Sequence, residues 1–320
     1  MVVVNRSLKP AKSGSGIDRL QWVCDNIKSL NSTFYNYRGE GLEKIIEGLD
    51  TSQVTSMYST FRTCTALTKA SLDCSSCTTF EEVFAYCSSL TELNLKNTNK
   101  ITNMRNAFRN TAITKLSLDC SSTTSLSNIF ASCSKLVELN LINSQNKMKI
   151  DYGFDGCLML EILNVSNPII ANTSTYGMFN NCKSLSSFPV IDLYNITSKP
   201  GNMFYNCVAM TNLTLKNIKY TLIIGSGTFY GHLLTLDSLL NTIKELWNMT
   251  DGTAQTLTIG SANLEKLANV YVKLIDITDE MRAEDEYIDN KLPFEICEST
   301  DEGAMLITDY ALLLKNWSIE

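Results

Sequence analysis

The stretch "FYNCVAMTNLTL", from Phe204 to Leu215, decides the fold because its pattern returns along the chain. A Phe opens the segment, a Cys follows three positions later, and leucine-like residues close it at alternate positions. The other copies begin at Phe61, Phe84, Phe108, Phe130, Phe154, Phe179 and, in degenerate form, Phe229. Successive copies lie 22 to 25 residues apart. The sequence is therefore an internal repeat, and the fold follows from how its copies stack.

Each copy predicts one short strand. In "LTELNL", Leu93 and Leu95 stand two residues apart and therefore point to one face of a strand. A period in this range with leucines at this spacing is typical of leucine-rich solenoids, whose turns bury their apolar faces only by stacking on neighbours. We predict a right-handed α/β solenoid of about nine short parallel strands. The Phe side chains would fill its interior from a turn or short helix opposite the sheet.

The cysteines follow the same period. Six of the eleven stand three residues after a repeat Phe, namely Cys64, Cys87, Cys133, Cys157, Cys182 and Cys207. Thr111 and His232 take this place in the other two copies. A position that accepts these residues favours a small, adaptable, buried group. The odd number of cysteines and the lack of a recognisable secretory signal predict free thiols rather than a disulfide framework.

The strands also predict which residues face outward. One column reads Lys69, Glu92, Lys115 and Glu138 on four successive strands, an arrangement that predicts a charge ladder. The neighbouring column is mostly small and polar. The last two outward pairs are Ser187 with Pro189 and Asn212 with Thr214. No aromatic residue stands in these columns, so we expect a solvated sheet face, at least in its N-terminal half.

A tyrosine group is the candidate binding surface. Tyr205 and Tyr230 directly follow the repeat Phe in consecutive copies, and Tyr194 and Tyr220 lie nearby in the sequence. Exposed tyrosines in register can bind carbohydrate or protein. The alternative is that they pack the convex side of the solenoid.

The repeat needs a cap at each end. We predict a flexible arm at 1–15, a helical cap at 16–40, repeats at 41–232, and a cap at 233–320 with helices, one or two strands and an acidic insertion at about 275–302. "LEKII" from Leu42 is expected to be the strand of a degenerate first turn with Phe34. Asp276 to Glu302 contains eleven acidic and two basic residues, which predicts a solvated connector.

The sequence shows no recognisable catalytic or metal-binding pattern. The chain has one His, at a repeat position, so a two-His metal site and a Ser-His-Asp arrangement are not expected. Cys74 and Cys77 form one C-x-x-C, but Cys120 matches Cys74 in the next-but-one copy. We expect no cofactor, no metal and no enzyme activity. No basic stripe predicts nucleic-acid binding, and no apolar run predicts membrane insertion.

The pattern "F-x-x-C-x-x-L-x-x-L-x-L", preceded by "LDTSQVTSM" at Leu49 and "KITNM" at Lys100, resembles the BspA-like leucine-rich repeats of bacterial and phage proteins. The resemblance runs from about Gly41 to Leu240. The segment Leu236 to Leu267 is similar to the closing segment of such repeats in tail-associated proteins of phages and prophages. The resemblance implies a non-enzymatic virion or tailocin component at the tail tip, baseplate or fibre.

Such a protein would be made in the host cytoplasm without a signal peptide and would recognise a host-surface protein or glycan. It would contact other virion proteins through its N-terminal arm or C-terminal helices, and an oligomer of undetermined order is expected. Two alternatives stay open. One is a capsid or tail decoration protein without a receptor role, and the other is a bacterial cell-surface adhesin.

Overall fold

The computed structural model describes residues 16–39, 41–144, 148–220, 222–224, 234–247, 249, 253–259 and 261–319. The chain divides into two compact units, Met1–Asn167 and Pro168–Glu320. Parallel strands one repeat apart stack on each other in both units, so the predicted parallel solenoid is confirmed. The predicted arm at 1–15, together with Phe229, Tyr230 and His232, lies outside the described residues.

The N-terminal unit begins with helix α1, Gly16–Trp22, which continues as a π-helical turn, Val23–Ile27. Its strands are β1 (Lys69–Asp73), β2 (Glu92–Lys96), β3 (Lys115–Asp119), β4 (Glu138–Ile142) and β5 (Ile162–Val165). The expected strand at "LEKII" is wrong, because Leu42–Glu47 forms helix α2. Gly41 precedes this helix with φ +83°, and Leu42 and Ile46 are its buried side. Helix α2 contacts β1 at the first edge of the sheet.

The wall opposite the sheet is built from turns rather than helices. Its Phe rings stack in line, with centroid distances of 5.3 Å for Phe34 and Phe61 and 5.2 Å for Phe61 and Phe84. The residues two positions before and two positions after each described repeat Phe have a positive φ, as Ser59 and Thr63 do around Phe61. Asn fills many of these places, because its short polar side chain tolerates positive φ. The Phe61 N–H donates to Val83 O at 2.9 Å, so the backbone links one turn to the next.

Buried thiols link the same turns a second time. Cys87 Sγ donates to Phe61 O at 3.0 Å and Cys133 Sγ to Phe108 O at 2.9 Å, each bond reaching the preceding turn. All six repeat cysteines are buried free thiols. Thr111 instead donates to the Phe108 carbonyl of its own turn at 3.0 Å. The repeat Cys therefore combines small volume with a donor that reaches its neighbour's carbonyl.

The C-terminal unit has a second parallel ladder of β6 (Ile169–Thr173), β7 (Ile191–Ile196) and β8 (Leu215–Lys216). The expectation that Pro189 and Thr214 face outward from strands is wrong, because β7 and β8 begin after them. Proline has no N–H to donate to a ladder, so regular pairing resumes only beyond Pro189. Ser187 and Asn212 are joined by a single isolated bridge.

The rest of this unit contains more strands than the one or two predicted for 233–320. It comprises β9 (Leu222–Ile223), α3 (Leu236–Lys244), β10 (Gln255–Thr258), α4 (Ser261–Leu267), β11 (Tyr271–Leu274), α5 (Asp279–Glu284), β12 (Phe294–Cys297), β13 (Met305–Leu306), α6 (Ile307–Lys315) and β14 (Trp317–Ile319). Strand β10 lies between β9 and β14, and β11 pairs antiparallel with β12 and β13. Thr235 caps α3 by accepting a hydrogen bond from Ser238 N.

Ten of the eleven acidic residues of Asp276–Glu302 are exposed, as expected for solvated charge, but residues 285–291 are anchored and are not a free connector. Lys291 is 2% exposed and its ammonium bonds the carboxylates of Glu245 and, at 2.7 Å, Asp285. The Tyr287 ring stacks on Tyr194 of β7 with centroids 4.2 Å apart. A buried ammonium needs carboxylate partners, and the acidic composition supplies them. We call residues 285–291 the acidic strap.

Replacing Lys291 with Met is expected to release the acidic strap. The change removes two charge-assisted hydrogen bonds and costs about 1.5–3 kcal/mol. Limited proteolysis should then cut within 285–291 faster than in the wild type. Lys273→Met is the matched control, because its ion pair with Glu295 is solvent-exposed and should matter little. Equal cleavage rates in the two variants would contradict the account.

Candidate functional site: an open groove on the sheet face

The third turn of the repeat lacks one residue. In the other copies two residues separate the turn Cys from the next Leu-like position, as Ser88 and Ser89 separate Cys87 from Leu90. In the third copy only Ala112 separates Thr111 from Ile113. In the full copies this turn closes with a hydrogen bond, from Leu90 N to Cys87 O at 3.0 Å. Within 41–144, where every residue is described, the third turn forms no such bond. The strand that follows it, β3, is therefore displaced relative to β2.

The missing residue interrupts the sheet. Strands β1 and β2 form one sheet and β3, β4 and β5 form another, although the Phe wall continues past the same point, with Phe84 N donating to Ala107 O at 2.9 Å. The four-strand charge ladder expected from the sequence is therefore wrong as a continuous ladder. The solenoid is closed on its turn wall and open on its sheet side.

The interruption leaves backbone groups unpaired. Glu92 N donates to Thr68 O and Lys96 O accepts from Cys74 N, so the backbone groups of Glu92 and Lys96 face β1. Backbone groups of successive residues in a strand point to opposite edges. The N–H and C=O groups of Leu93 and Leu95 therefore face β3. On β3, Cys120 N bonds forward to Ile142 O, so the groups of Lys115 and Ser117 face β2. No hydrogen bond of the described residues joins these two strand edges through their own backbones.

A threonine covers the end of the β3 edge. Thr98 Oγ1 accepts from Asp119 N at 2.8 Å and donates to Asp119 O at 3.1 Å. Thr51 Oγ1 makes the same two bonds, both 2.9 Å, with Asp73 at the end of β1. Strands β1 and β3 are each the first strand of a parallel sheet. In both, a threonine hydroxyl pairs with the backbone N–H and C=O of the aspartate that ends the strand. At β1, helix α2 covers the remainder of the strand edge.

Thr98→Val is expected to destabilise the protein by about 1–3 kcal/mol, because it leaves the Asp119 N–H and C=O without partners at nearly constant volume. Urea unfolding measures the loss. Thr91→Val is the control, since its hydroxyl lies in an exposed hydrogen bond to Thr68 O and should change stability by under about 0.5 kcal/mol. Equal midpoints for both variants would mean that Thr98 does not cover the edge.

The open edges line two adjoining depressions in the sheet face, of about 430 and 330 Å³. They share Leu93, Asn94 and Lys115. We call them together the sheet groove. Leu93 and Leu95 are only half-buried, whereas Leu139 and Leu141, their counterparts on β4, are 0% exposed. The missing residue thus turns two core positions into part of a surface.

Charged groups surround the sheet groove. Lys69 pairs with Glu47 of α2 at 2.8 Å, and that hydrogen bond raises the pKa of the lysine. Lys115 pairs with Glu138 at 2.7 Å, and the bond from Lys115 lowers the pKa of Glu138. Among the described residues no cation lies within ion-pair distance of Glu92, which is exposed. The groove therefore offers a carboxylate that makes no close ion pair, although Glu92 contributes to the raised pKa of Lys69 on the neighbouring strand.

Of the four tyrosines of the candidate binding surface, the three that the structure describes differ in their surroundings and exposure. Tyr194 is half-buried under Tyr287 and lies 5.9 Å from the Trp247 ring. The Lys219 ammonium lies 3.7 Å from the Tyr194 ring centroid. Tyr205 is 46% exposed, and Tyr220 is half-buried. The outward face of β7, which belongs to the C-terminal unit, therefore carries an aromatic residue, and the acidic strap covers it.

No metal cluster of three or more His, Cys, Asp or Glu residues occurs among the described residues. Cys74 and Cys77 are buried, and burial raises the pKa of Cys77 to about 12. A thiol in such surroundings is not a reactive nucleophile. Within the same described ranges, no helix is long and apolar enough to cross a membrane.

Comparison with known proteins identifies the repeat. Residues 104–235 match the family described as a BspA type leucine rich repeat region, in six copies. The match supports the resemblance for residues 104–235, which are similar to BspA-type leucine-rich repeats. Residues 7–118 match a family described as a Mycoplasma protein of unknown function, DUF285. A comparison with curated proteins gave no match.

Two solved structures are similar to parts of the chain. A leucine-rich cell surface protein of Faecalibacterium prausnitzii A2-165 is 15% identical, with 58% of this chain and 82% of that chain covered and a TM-score of 0.22. A leucine-rich repeat protein of Bacteroides ovatus ATCC 8483 is 20% identical, with 57% and 63% covered and a TM-score of 0.25. None of these matches is described as a phage or tail protein.

Proposed function

We propose that this is a non-enzymatic binding protein that uses the sheet face of its N-terminal unit to hold a protein partner. The single observation that carries the proposal is the sheet groove. Leu93 and Leu95 are half-buried there, although the repeat buries the same positions on β1, β3 and β4. Apolar side chains that the fold can bury, left open beside unpaired polar groups, are typical of an interaction surface.

Two settings fit such a protein. A bacterial origin is supported by the match of residues 7–118 to a family described for Mycoplasma, whose function is unknown, and a cell-surface adhesin is the bacterial role that we propose. A phage or tailocin component at the tail tip, baseplate or fibre is supported by the likeness of Leu236 to Leu267 to the closing segment of tail-associated repeats. The binding face is the same in both settings, and only the partner differs.

The test is a saturation binding assay on intact Mycoplasma and Gram-positive cells and, separately, on purified phage particles. Asn94→Arg places a long cation in the sheet groove, and Asn164→Arg makes the same change in the same outward column on β5. The two are matched, because each residue is exposed and donates one side-chain hydrogen bond, to Ser71 and to Asn140.

We expect saturable binding that weakens about tenfold or more in Asn94→Arg and not in Asn164→Arg. Binding to cells would support the adhesin, and binding to particles alone would support the virion component. Equal affinities of the two variants would contradict the groove as the binding face. An absence of saturable binding to cells and to particles would contradict both settings.

A further inference from the structure

The unpaired backbone groups of the sheet groove restrict the kind of partner that it can bind. Its two sides are strand edges, with Leu93 and Leu95 of β2 on one side and Lys115 and Ser117 of β3 on the other. Each of these residues directs an N–H and a C=O toward the opening. Unpaired strand edges are normally covered, as α2 and Thr51 cover β1. This opening is left uncovered by any of the described residues.

We infer that the sheet groove binds an extended segment of a partner polypeptide by strand addition, with the partner's backbone pairing with the free edges of β2 and β3. The inference rests on the proposed function and names the class of partner and its mode of binding. In strand addition, main-chain hydrogen bonds supply affinity and alternate side chains supply specificity. A helix would leave the regularly spaced edge donors and acceptors unpaired, because its own backbone groups are already paired within the helix.

The lining residues specify the partner's side chains. Positions that point inward would meet the half-buried Leu93 and Leu95, so small apolar or β-branched residues fit there. Positions that point outward would lie beside Asn94, Ser117 and Asn140, which are polar. Glu92 is exposed and lacks a cation within ion-pair distance, so a lysine or arginine of the partner is expected opposite it. The partner segment therefore alternates β-branched and polar residues and carries a basic residue.

The test uses an array of seven-residue peptides that alternate valine with threonine and carry one lysine, with binding to the full chain measured by fluorescence polarisation. A second set is identical except for N-methylation of alternate backbone amides, which removes the pairing donors and keeps the side chains. A protein variant with a serine inserted between Thr111 and Ala112 restores the missing residue and is expected to close the sheet.

We expect the unmodified peptides to bind, and N-methylation and the serine insertion each to reduce affinity at least tenfold. Thermal unfolding of the insertion variant should show no loss of stability, so that lost binding is not lost folding. A destabilised insertion variant would contradict the restored ladder and so the inference. Peptide binding that survives N-methylation, or no binding by any peptide, would also overturn strand addition. The proposed function would stand in that case, provided that Asn94→Arg still weakened binding to cells or particles.

Discussion

Raising the pH from about 8 to about 10 in the presence of a reductant is expected to unfold the N-terminal unit cooperatively. Eight buried thiols of this unit have a raised pKa, and desolvation is the first cause for each. They are Cys24, Cys64, Cys74, Cys77, Cys87, Cys120, Cys133 and Cys157. For Cys64 and Cys133 the pKa reaches about 11. The unfolded chain ionises these thiols near pH 8.5, well before the folded chain does.

The sign and the size follow from proton linkage. Above about pH 8.5 the unfolded state has released protons that the folded state keeps, so stability is full below this pH and falls as the pH rises. Each thiol that is ionised only in the unfolded state removes about 1.4 kcal/mol per pH unit, and eight remove about 11 kcal/mol per pH unit. That exceeds or matches the whole stability of a typical domain.

Circular dichroism across a pH series, with tryptophan fluorescence as a second probe, measures the transition. Cys77→Ala is expected to move the midpoint to higher pH, because one ionising group is removed from the unfolded chain. Replacement of the half-exposed Cys297, which lies in the C-terminal unit, is the control and should leave the midpoint of the N-terminal unit unchanged. An N-terminal unit that stayed folded at about pH 11 would contradict the burial of the thiol ladder.

Lys315 of the C-terminal unit acts in the opposite direction. Burial lowers the pKa of this lysine to about 7, although its ammonium donates to Leu246 O at 2.7 Å. The unfolded chain keeps this proton up to about pH 10.4, so the group contributes a gain in stability as the pH rises above about 7. Between about pH 7 and 8, before the thiols ionise, this unit is expected to gain up to about 1.4 kcal/mol. Lys315→Met should abolish the gain measured by urea unfolding.

Phe130→Ala is expected to cost about 3–5 kcal/mol and to disrupt the turn wall on both sides of the residue. The Phe130 ring is 0% exposed and stacks on Phe108 at 5.3 Å and on Phe154 at 6.2 Å. Its removal leaves a cavity between two turns that are also tied by backbone hydrogen bonds and cannot collapse freely. Because each turn packs only on its neighbours, the damage spreads along the stack.

Urea unfolding of the full chain measures this loss. Ile142→Ala is the control, since Ile142 is a comparably apolar residue on β4 but 43% exposed, and its removal should cost under about 0.5 kcal/mol. Equal unfolding midpoints for Phe130→Ala and Ile142→Ala would show that the Phe ladder does not hold the turns together.

The period of the repeat predicted the solenoid because stacking is a property of every copy. Phe and Cys recur at fixed spacing, and fixed spacing places them at one point of each turn. The failures lie where one copy departs from the others. At Pro189 the residue has no N–H to donate to the sheet, and strand β7 begins two residues later, at Ile191. At Leu42–Glu47 a sequence of strong helix formers adopts a helix that lies at the sheet edge, where a strand was expected.

The candidate site leaves one signal in the sequence, which is the shortened repeat at Phe108, but no groove was predicted from it. The copy at Phe108 is one residue shorter than its neighbours, and the Phe that follows comes after 22 residues, the shortest interval in the chain. An insertion or deletion inside a repeat indicates where stacking is disturbed. The contact of Tyr287 with Tyr194 left no such signal, because it joins segments that are distant in sequence and follows no period.

The measurement that tests the account most directly is amide hydrogen exchange of β3 in the wild-type protein and in the variant with serine inserted after Thr111. Both proposals rest on the open edge, and this measurement needs no partner. We predict fast exchange of the Lys115 and Ser117 amides and slow exchange of the Leu116 and Leu118 amides, which face β4. The serine insertion should slow the hydrogen exchange of the Lys115 and Ser117 amides. Slow exchange at all four positions in the wild type would contradict an open sheet.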